Sequence, residues 1–265
     1  MEALLADPVM LTTAVVSGVL IGFVLALVGG GGSILAVPLL LYAVGVDNPH
    51  MAIGTAAFAV AVNAATGLVP HARAGTVKWP CALVFAGAGI LGAYGGSSLG
   101  KAIDGDSLIA AFGVAMIAIG IWMLVPKAHT DQPDVRLTRD TARELLPRLI
   151  PFGLGAGGAA GFFGIGGGFL IAPGLMAATH MPMRMAVGTS LVAVFAFGAT
   201  TAANYAVAGW VNWAVAAALI AGGIVGGVAG QRASAYLAQQ RNMLVQIFSG
   251  LVICVGLYIL WQAPA

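Results

Sequence analysis

Long apolar stretches, separated by short polar turns, fill almost the whole chain. A helix that crosses a bilayer needs about 20 predominantly apolar residues, and most of the stretches have about this length. They cover residues 12–45, 51–70, 79–100, 107–126, 149–178, 185–207, 211–231 and 243–262. Because a soluble fold cannot hide so many apolar helices, the pattern predicts an all-α, polytopic membrane protein.

Charge is too scarce for a surface that faces water. Only 8% of the 265 residues are charged and 60% are hydrophobic, whereas a soluble globular domain carries about 25% charged residues. The net charge of +2 leaves no basic face for nucleic acid. Cys81 and Cys254 lie in apolar runs, so we expect packed thiols and not a disulfide framework or a metal site. We expect no cofactor.

Glycine interrupts the two longest stretches, 12–45 and 149–178. Each glycine weakens a helix by about 1 kcal/mol relative to alanine, so each stretch is predicted to form two helices joined at an unwound point. The second legs, about 34–45 and 169–178, are too short to cross about 30 Å of hydrocarbon. We therefore expect broken or re-entrant half-helices that are buried in protein. The interruptions contain Gly29, Gly30, Gly31 and Gly32 before Ser33 and the structural Pro38, and Gly164, Gly166, Gly167 and Gly168 before the structural Pro173.

The two halves of the chain repeat each other. The glycine runs and their prolines match at a shift of 135 residues, and the segments that follow match at a shift of 134. The second set pairs Gly54-Thr55 with Gly188-Thr189, and Gly75, Val77 and Trp79 with Gly209, Val211 and Trp213. The match predicts a first transmembrane repeat at 1–126, a polar linker at 127–148 and a second transmembrane repeat at 149–265.

The positions of Lys and Arg predict how often each half crosses the membrane, because cytoplasmic loops collect these residues. If each glycine-broken stretch crosses once, the cations divide 7 to 4 between the two sides. If each broken stretch turns the chain around, they divide 10 to 1, and only Lys101 lies on the other side. The second division predicts two inverted repeats of about five legs each. It places the linker in the cytoplasm and both termini in the periplasm.

Inverted repeats with broken helices are typical of secondary transporters, which hold their substrate where the breaks meet. A helix N-terminus offers unpaired N–H groups and a partial positive charge, and glycine turns form anion-binding nests. Gly29–Ser33 and Gly164–Gly168 are therefore candidate anion-binding segments, with close helix packing as the alternative. Packing is the favoured interpretation for three other glycine rows, which are 18/22, 89/92/96 and 223/226/230.

A few polar side chains lie near these breaks or inside apolar helices. Thr55, Thr189 and Ser190 follow the broken segments, and they either contact the substrate or cap the helices that begin there. Asn63 and Asn204 lie within apolar helices, where an amide needs a partner. They either bond neighbouring helices together or line the pore, so we keep all five as candidate substrate-binding residues.

Arg73 and Arg184 are expected at the cytoplasmic mouth, either to anchor the topology or to attract an anion. No Asp or Glu lies in any span, so we expect no carboxylate proton relay. Export does not require one, because an inside-negative potential drives an anion outward with about 2.3 kcal/mol per charge per 100 mV.

The motifs Gly29–Pro38 (GGGGSILAVP) and Gly164–Pro173 (GIGGGFLIAP), with Gly54-Thr55 and Gly188–Ser190, resemble the sulfite exporter TauE/SafE family of membrane proteins. The resemblance covers about residues 15–262. It implies transport of small sulfur-containing anions such as sulfite, thiosulfate or organosulfonates, and some family members are uptake permeases. We expect export across a bacterial inner membrane, with uptake of organosulfonates as the alternative and a membrane-embedded enzyme as a distant one. The expected partners are a small anionic substrate and the lipid bilayer. A homodimer is one of the assembly states that the sequence leaves open.

Overall fold

The computed structural model describes residues 8–28, 31–124, 137–165, 167–237 and 241–262. Within these ranges the chain is helical and contains no strand. The helices of the first half are α1 (Pro8–Val28), α2 (Ala36–Pro38), α3 (Pro49–Arg73), α4 (Trp79–Ala102) and α5 (Gly105–Leu124). Those of the second half are α6 (Arg139–Phe163), α7 (Gly168–Thr179), α8 (Met183–Val207), α9 (Trp213–Leu237) and α10 (Arg241–Gln262).

Helix α2 is the middle of a longer helical segment. A 3-10 turn, Gly31–Leu35, precedes it and a π-turn, Leu39–Val44, follows it. We call the whole segment from Gly31 to Val44 the composite half-helix. It and α7 are the two predicted half-helices, and the apolar part of each is shorter than a membrane span.

Six of the described helices are long and apolar enough to cross a membrane. They are Pro8–Leu27, Pro49–Arg73, Trp79–Ala102, Gly105–Leu124, Met183–Val207 and Trp213–Ala233. The prediction of an all-α, polytopic membrane protein is therefore confirmed.

The glycine breaks end and begin helices close to the predicted positions. Helix α6 ends at Gly164 (φ 67°) and α7 begins after Gly167 (φ 67°); glycine adopts this left-handed conformation without steric cost. The half-helices begin at Gly31 and Gly168, slightly earlier than predicted, because some of the glycines join the first helical turn. Gly29, Gly30 and Gly166 lie outside the described residues.

The end of the predicted linker forms the start of helix α6. Thr138 caps α6 by accepting a hydrogen bond from the Thr141 N–H group, and the helix continues without a break through residue 148 to Phe163. The first part of the linker, residues 127–136, lies outside the described residues. The division into two repeats and a linker stays a prediction.

Glycine rows form the closest helix contacts. Helices α1 and α9 run parallel, with Gly22 against the backbone of Gly223, and α4 and α6 run parallel, with Gly157 against the backbone of Gly89. A Cβ atom on Gly22 or Gly157 would collide with the facing backbone, and one on Gly223 or Gly89 would collide with a side chain of a third helix. The three rows that were interpreted as packing glycines all lie in these two interfaces, where small residues let helix backbones approach each other.

Helices that occupy equivalent places in the two halves pack in opposite directions. The start of α3 lies at the end of α8, since Gly54 contacts Trp210, and the end of α3 lies at the start of α8, since Gly188 contacts His71. Helices α5 and α10 are also antiparallel, with Gly113 against Gly256 and Gly120 against Ile253. These are the directions that an inverted duplication predicts.

We name the two ends of the helical bundle after one residue each. The His71 end contains the α3–α4 turn, the α7–α8 turn, the end of α9 and the starts of α6 and α10. The Lys101 end contains the α4–α5 turn, the α8–α9 turn and the starts of α1 and α3, where His50 stacks on Trp210. Every described Lys and Arg except Lys101 lies at the His71 end, and these are Arg73, Lys78, Arg139, Arg143, Arg148, Arg184, Arg232 and Arg241.

Candidate functional site

The first glycine segment and the second half-helix meet inside the bundle, at a contact that we call the glycine junction. The 3-10 turn Gly31–Leu35 contacts α7. Gly32 lies against Ile21 and Leu25 of α1, and Gly167 lies against Ala156 and Ala160 of α6. Ile21 and Ala156 are equivalent at the shift of 135, as are Leu25 and Ala160, so the two breaks fold back on their helices in the same way.

Protein surrounds these segments on all sides that the structure describes. Ser33 and Ile34 are fully buried in the first segment, and Ile165 is fully buried in the second. Gly32, Gly164, Gly167 and Gly168 are also buried. Glycine is required at Gly164, where a Cβ atom would overlap the Ile53 side chain and the φ angle is positive. The segments therefore form an internal junction of two half-helix starts and are not a lipid-facing surface.

The hydroxyl groups of Thr55 and Thr189 have equivalent structural partners. The Thr55 Oγ1 atom accepts a hydrogen bond from the Asn212 N–H group at 2.9 Å, and the Thr189 Oγ1 atom accepts one from the Lys78 N–H group at 3.0 Å. Each threonine thereby joins its own helix to the first residue before a helix of the other half. Both side chains are fully buried.

The expectation that these threonines cap the helices in which they lie is wrong. Asn48 caps α3 by accepting from the N–H groups of His50 and Met51, and α3 begins at Pro49, well before Thr55. Ser190 is satisfied within its own helix, because its hydroxyl donates to the Val187 carbonyl at 2.8 Å.

Asn204 bonds helices α8 and α4 together. Its Nδ2 group donates to the Ser97 Oγ atom at 2.7 Å and to the Ser98 Oγ atom at 3.0 Å. The Lys101 ammonium donates to the Asn204 Oδ1 atom at 2.6 Å and to its carbonyl at 3.0 Å. The helix–helix interpretation of Asn204 is thus the one its contacts favour.

Asn63 has a different environment. It is 4% exposed, and its Oδ1 atom has no hydrogen-bond partner within the described residues. It lines a cavity of about 360 Å³ between α1, α3, α8 and α9, which we call the Asn63 cavity. Its wall includes Gly22, Leu25, Thr66, His71, Gly223 and Gln231. The pore-lining interpretation of Asn63 is thus the one its surroundings favour.

The arginines predicted for the mouth flank this cavity at the His71 end. Arg73 and Arg184 are both exposed, and Arg184 lies in the neighbourhood of His71. The His71 Nδ1 atom lies 2.9 Å from the Thr76 Oγ1 atom, and Gly188 packs against both side chains.

Sequence reasoning missed the Asn63 cavity itself. One signal was present, because the shift of 134 pairs Asn63 with Phe197 and His71 with Tyr205, so the two halves differ where helices would line a pore. The Phe197 ring stacks on Phe85 with 6.2 Å between ring centroids. Gly89 leaves room for this ring, as Gly223 leaves room for the Asn63 amide.

The described residues offer no group of three or more His, Cys, Asp or Glu side chains that can hold a metal ion. The fold and the site together define a class: a polytopic helical membrane protein with two broken helices that meet at its centre. The model of the sulfite exporter TauE/SafE family matches residues 14–259, and the chain belongs to this family. It is a membrane transporter of the TauE/SafE type, as the resemblance implies.

The relatives carry the same general description. A probable membrane transporter protein of Xylella fastidiosa (strain Temecula1) is 47% identical over 254 residues, which are 94% of this chain and 94% of the relative. One of Bacillus subtilis (strain 168) is 28% identical over 271 residues, covering 94% of this chain and 96% of the relative. One of Methanocaldococcus jannaschii is 28% identical over 187 residues, covering 69% and 67%. No solved structure matches the chain.

Proposed function

We propose that this transporter exports small sulfur-containing anions, such as sulfite, thiosulfate or organosulfonates, across the bacterial inner membrane. One observation carries the proposal: in a chain of the TauE/SafE family, two half-helices begin at buried glycine segments, and the glycine turn of the first contacts the second half-helix. The family supplies the chemical class of the substrate, and the geometry supplies a way to bind an anion.

Main-chain N–H groups bind the anion in this mechanism. The first turn of each half-helix has N–H groups without an intrahelical partner, and the helix dipole adds a partial positive charge. Gly167 and Gly168 present no side chain that would block these groups, and Gly31 and Gly32 do the same in the other half. The substrate is thus held between the halves, and the two halves rock around it to expose it to either side.

The membrane orientation follows from the charges. All described cations except Lys101 lie at the His71 end, whereas Asp47, Asp104 and Asp106 lie at the Lys101 end. The positive-inside rule therefore makes the His71 end cytoplasmic. Because α1 begins and α10 ends at the Lys101 end, both termini are periplasmic. The antiparallel packing of α3 on α8 and of α5 on α10 supports inverted repeats.

The direction of transport follows from the membrane potential. An inside-negative potential drives each negative charge outward with about 2.3 kcal/mol per 100 mV, so a divalent anion is driven twice as strongly. Export needs no other energy source, whereas uptake of the same anion does.

Flux into and out of liposomes tests the proposal. Purified full-length protein is reconstituted, and the movement of sulfite, thiosulfate, sulfoacetate and sulfate is followed with and without an imposed potential. We expect potential-driven movement of at least one sulfur anion toward the positive side, and a large loss in the variant Gly167→Leu, whose side chain would occupy the junction. The control is Gly45→Leu, where the φ angle is also positive but a Cβ atom meets open space.

Two results would contradict the proposal. If a correctly inserted protein moves no anion, it is not a transporter of sulfur anions. Flux only against the potential, driven by a proton or sodium gradient, would replace export by the uptake alternative. The homodimer stays a prediction.

A further inference from the structure

We infer that the Asn63 cavity is a binding site for the transported anion and that the Asn63 amide is a direct ligand in it. The inference rests on the proposed function and adds a second substrate site, which lies on the His71 side of the glycine junction. It also explains why the equivalent place in the other half is filled by an aromatic ring.

The amide of Asn63 is buried with a polar atom unsatisfied. Its Oδ1 atom has no hydrogen-bond partner among the described residues, and the side chain is 4% exposed. A buried polar group without a partner is destabilising. Rotation of the amide exchanges the Oδ1 and Nδ2 atoms, so a ligand at this place meets an acceptor in one orientation and a donor in the other. A small oxyanion and its retained water offer both an acceptor and a donor, and can satisfy either orientation.

The Asn63 amide fits in its position because the residue that faces it is a glycine. Gly223 of α9 faces Asn63, and a Cβ atom at this position would collide with the Nδ2 atom. Gly22 of α1 packs against Gly223 from the other side. The three residues therefore form a rigid corner of the cavity, and the amide is directed by packing and not by a hydrogen bond.

The cavity adjoins the glycine junction. Leu25 lines the cavity, and the backbone of Leu25 is also what Gly32 packs against. One turn of α1 thus separates the Asn63 cavity from the first glycine segment.

The lining suits an anion. The cavity of about 360 Å³ lies at the small end of the range for ligand pockets. It is lined by Asn63, Thr66, His71 and Gln231 among apolar side chains, and none of its lining residues is Asp or Glu. Arg184 lies nearby at the exposed end. Neutral polar groups with a cation at the mouth attract an anion without holding it too tightly for release.

The equivalent place at the Lys101 end has different side chains. The shift of 134 places Phe197, Tyr205 and Ser97 where the cavity has Asn63, His71 and Gln231. Phe197 stacks on Phe85, and Ser97 accepts a hydrogen bond from Asn204. Among the described residues, the places equivalent to Asn63 and Gln231 are thus occupied by packed or hydrogen-bonded side chains.

Two helical glycines give a matched test. Gly223→Ala pushes the Asn63 amide aside without removing it. Gly87→Ala, on the exposed face of α4 and outside the cavity, adds the same methyl group where nothing lies within 4 Å. We expect the KM for sulfite flux from the His71 side of reconstituted liposomes to rise roughly tenfold in Gly223→Ala. In Gly87→Ala we expect the KM to stay at the wild-type value.

The isosteric variant Asn63→Asp tests the amide directly. It keeps the shape, but its negative charge repels the anion, so we expect at least the same rise in KM with correct membrane insertion. Wild-type KM values in both Asn63→Asp and Gly223→Ala would overturn the inference and show that only water fills the cavity. A wild-type protein that moves no sulfur anion would instead overturn the proposed function, so the two failures are distinguishable.

Discussion

The His71 end and the Lys101 end are built from equivalent segments, but their interiors differ. Both ends have a helix–helix turn with a left-handed glycine, Gly75 at one and Gly209 at the other, and both have a buried threonine that accepts an N–H group from the opposite half. The side chains between the helices diverge. The His71 end has the Asn63 cavity, which is mostly apolar with a few polar side chains, whereas the other end has the stacked rings of Phe85 and Phe197 and the hydrogen bonds of Asn204.

This difference separates the backbone contacts between helices from the side chains that lie between them. Backbone contacts, which hold the bundle together, follow the duplication closely, because each half must pack against the other in the same way. The side chains between the helices follow the duplication less closely. The Asn63 cavity lies at the His71 end, whereas the stacked rings of Phe85 and Phe197 lie at the equivalent place of the other end.

The variant Asn63→Phe is expected to have the largest effect, because it makes the His71 end resemble the Lys101 end. It gives the His71 end the side chain that Phe197 supplies at the other end, removing the amide and filling the space beside Gly223. We expect sulfite flux to fall by about a hundredfold or more, the loss expected for a hydrogen bond to a charged ligand together with a blocked path. The measurement is the initial rate of flux in reconstituted liposomes.

Phe197→Leu is the matched control for this variant. It keeps an apolar side chain at the equivalent position, where the structure shows packing and no cavity wall, so we expect flux of the same order as the wild type. A wild-type rate in Asn63→Phe would mean that the anion does not pass this point.

The paired variants Thr55→Val and Thr189→Val sharpen the comparison, because the two threonines have the same role at opposite ends. Valine keeps the shape but leaves a buried N–H group without an acceptor, which destabilises by about 1–3 kcal/mol. We expect both variants to lose a similar amount of unfolding free energy, measured by thermal unfolding in detergent. Thr→Ser variants, which keep the hydroxyl, should lose less. Loss of flux with unchanged stability would instead make these hydroxyls substrate ligands.

The sequence predicts the elements better than it predicts the site. Span lengths and glycine breaks are properties of continuous segments, so the half-helices could be located to within a few residues. The opposite membrane orientations of the two halves were predicted from the distribution of Lys and Arg. The partners of Thr55 and Asn204 could not be found in this way, because both are contributed by distant segments of the chain. The Asn63 cavity arises from four helices, and only the pairing of Asn63 with Phe197 pointed to it.

Lys101→Met tests how the Lys101 end is closed. The Lys101 ammonium is half-buried and donates to two oxygen atoms of Asn204, so we expect the variant to lower the unfolding free energy by about 1 kcal/mol. Arg73→Met removes an exposed cation from the opposite end and is expected to change stability by less than about 0.5 kcal/mol. Equal effects of the two variants on the thermal unfolding midpoint would show that the Asn204 contacts do not stabilise this end.

The smallest expected effect concerns the cations outside the cavity. Arg184→Gln and Arg73→Gln remove charge near the mouth at the His71 end, where exposed charges attract an anion over about one Debye length. We expect the KM for sulfite presented to this end to rise about two- to threefold at low ionic strength. The rise should disappear near 1 M salt, where the Debye length falls to about 3 Å. Lys101→Gln, which removes the cation of the opposite end, should leave this KM unchanged. An effect of Arg184→Gln that persists in high salt would place this arginine in direct contact with the anion, because screening does not weaken a contact pair in the same way as long-range attraction.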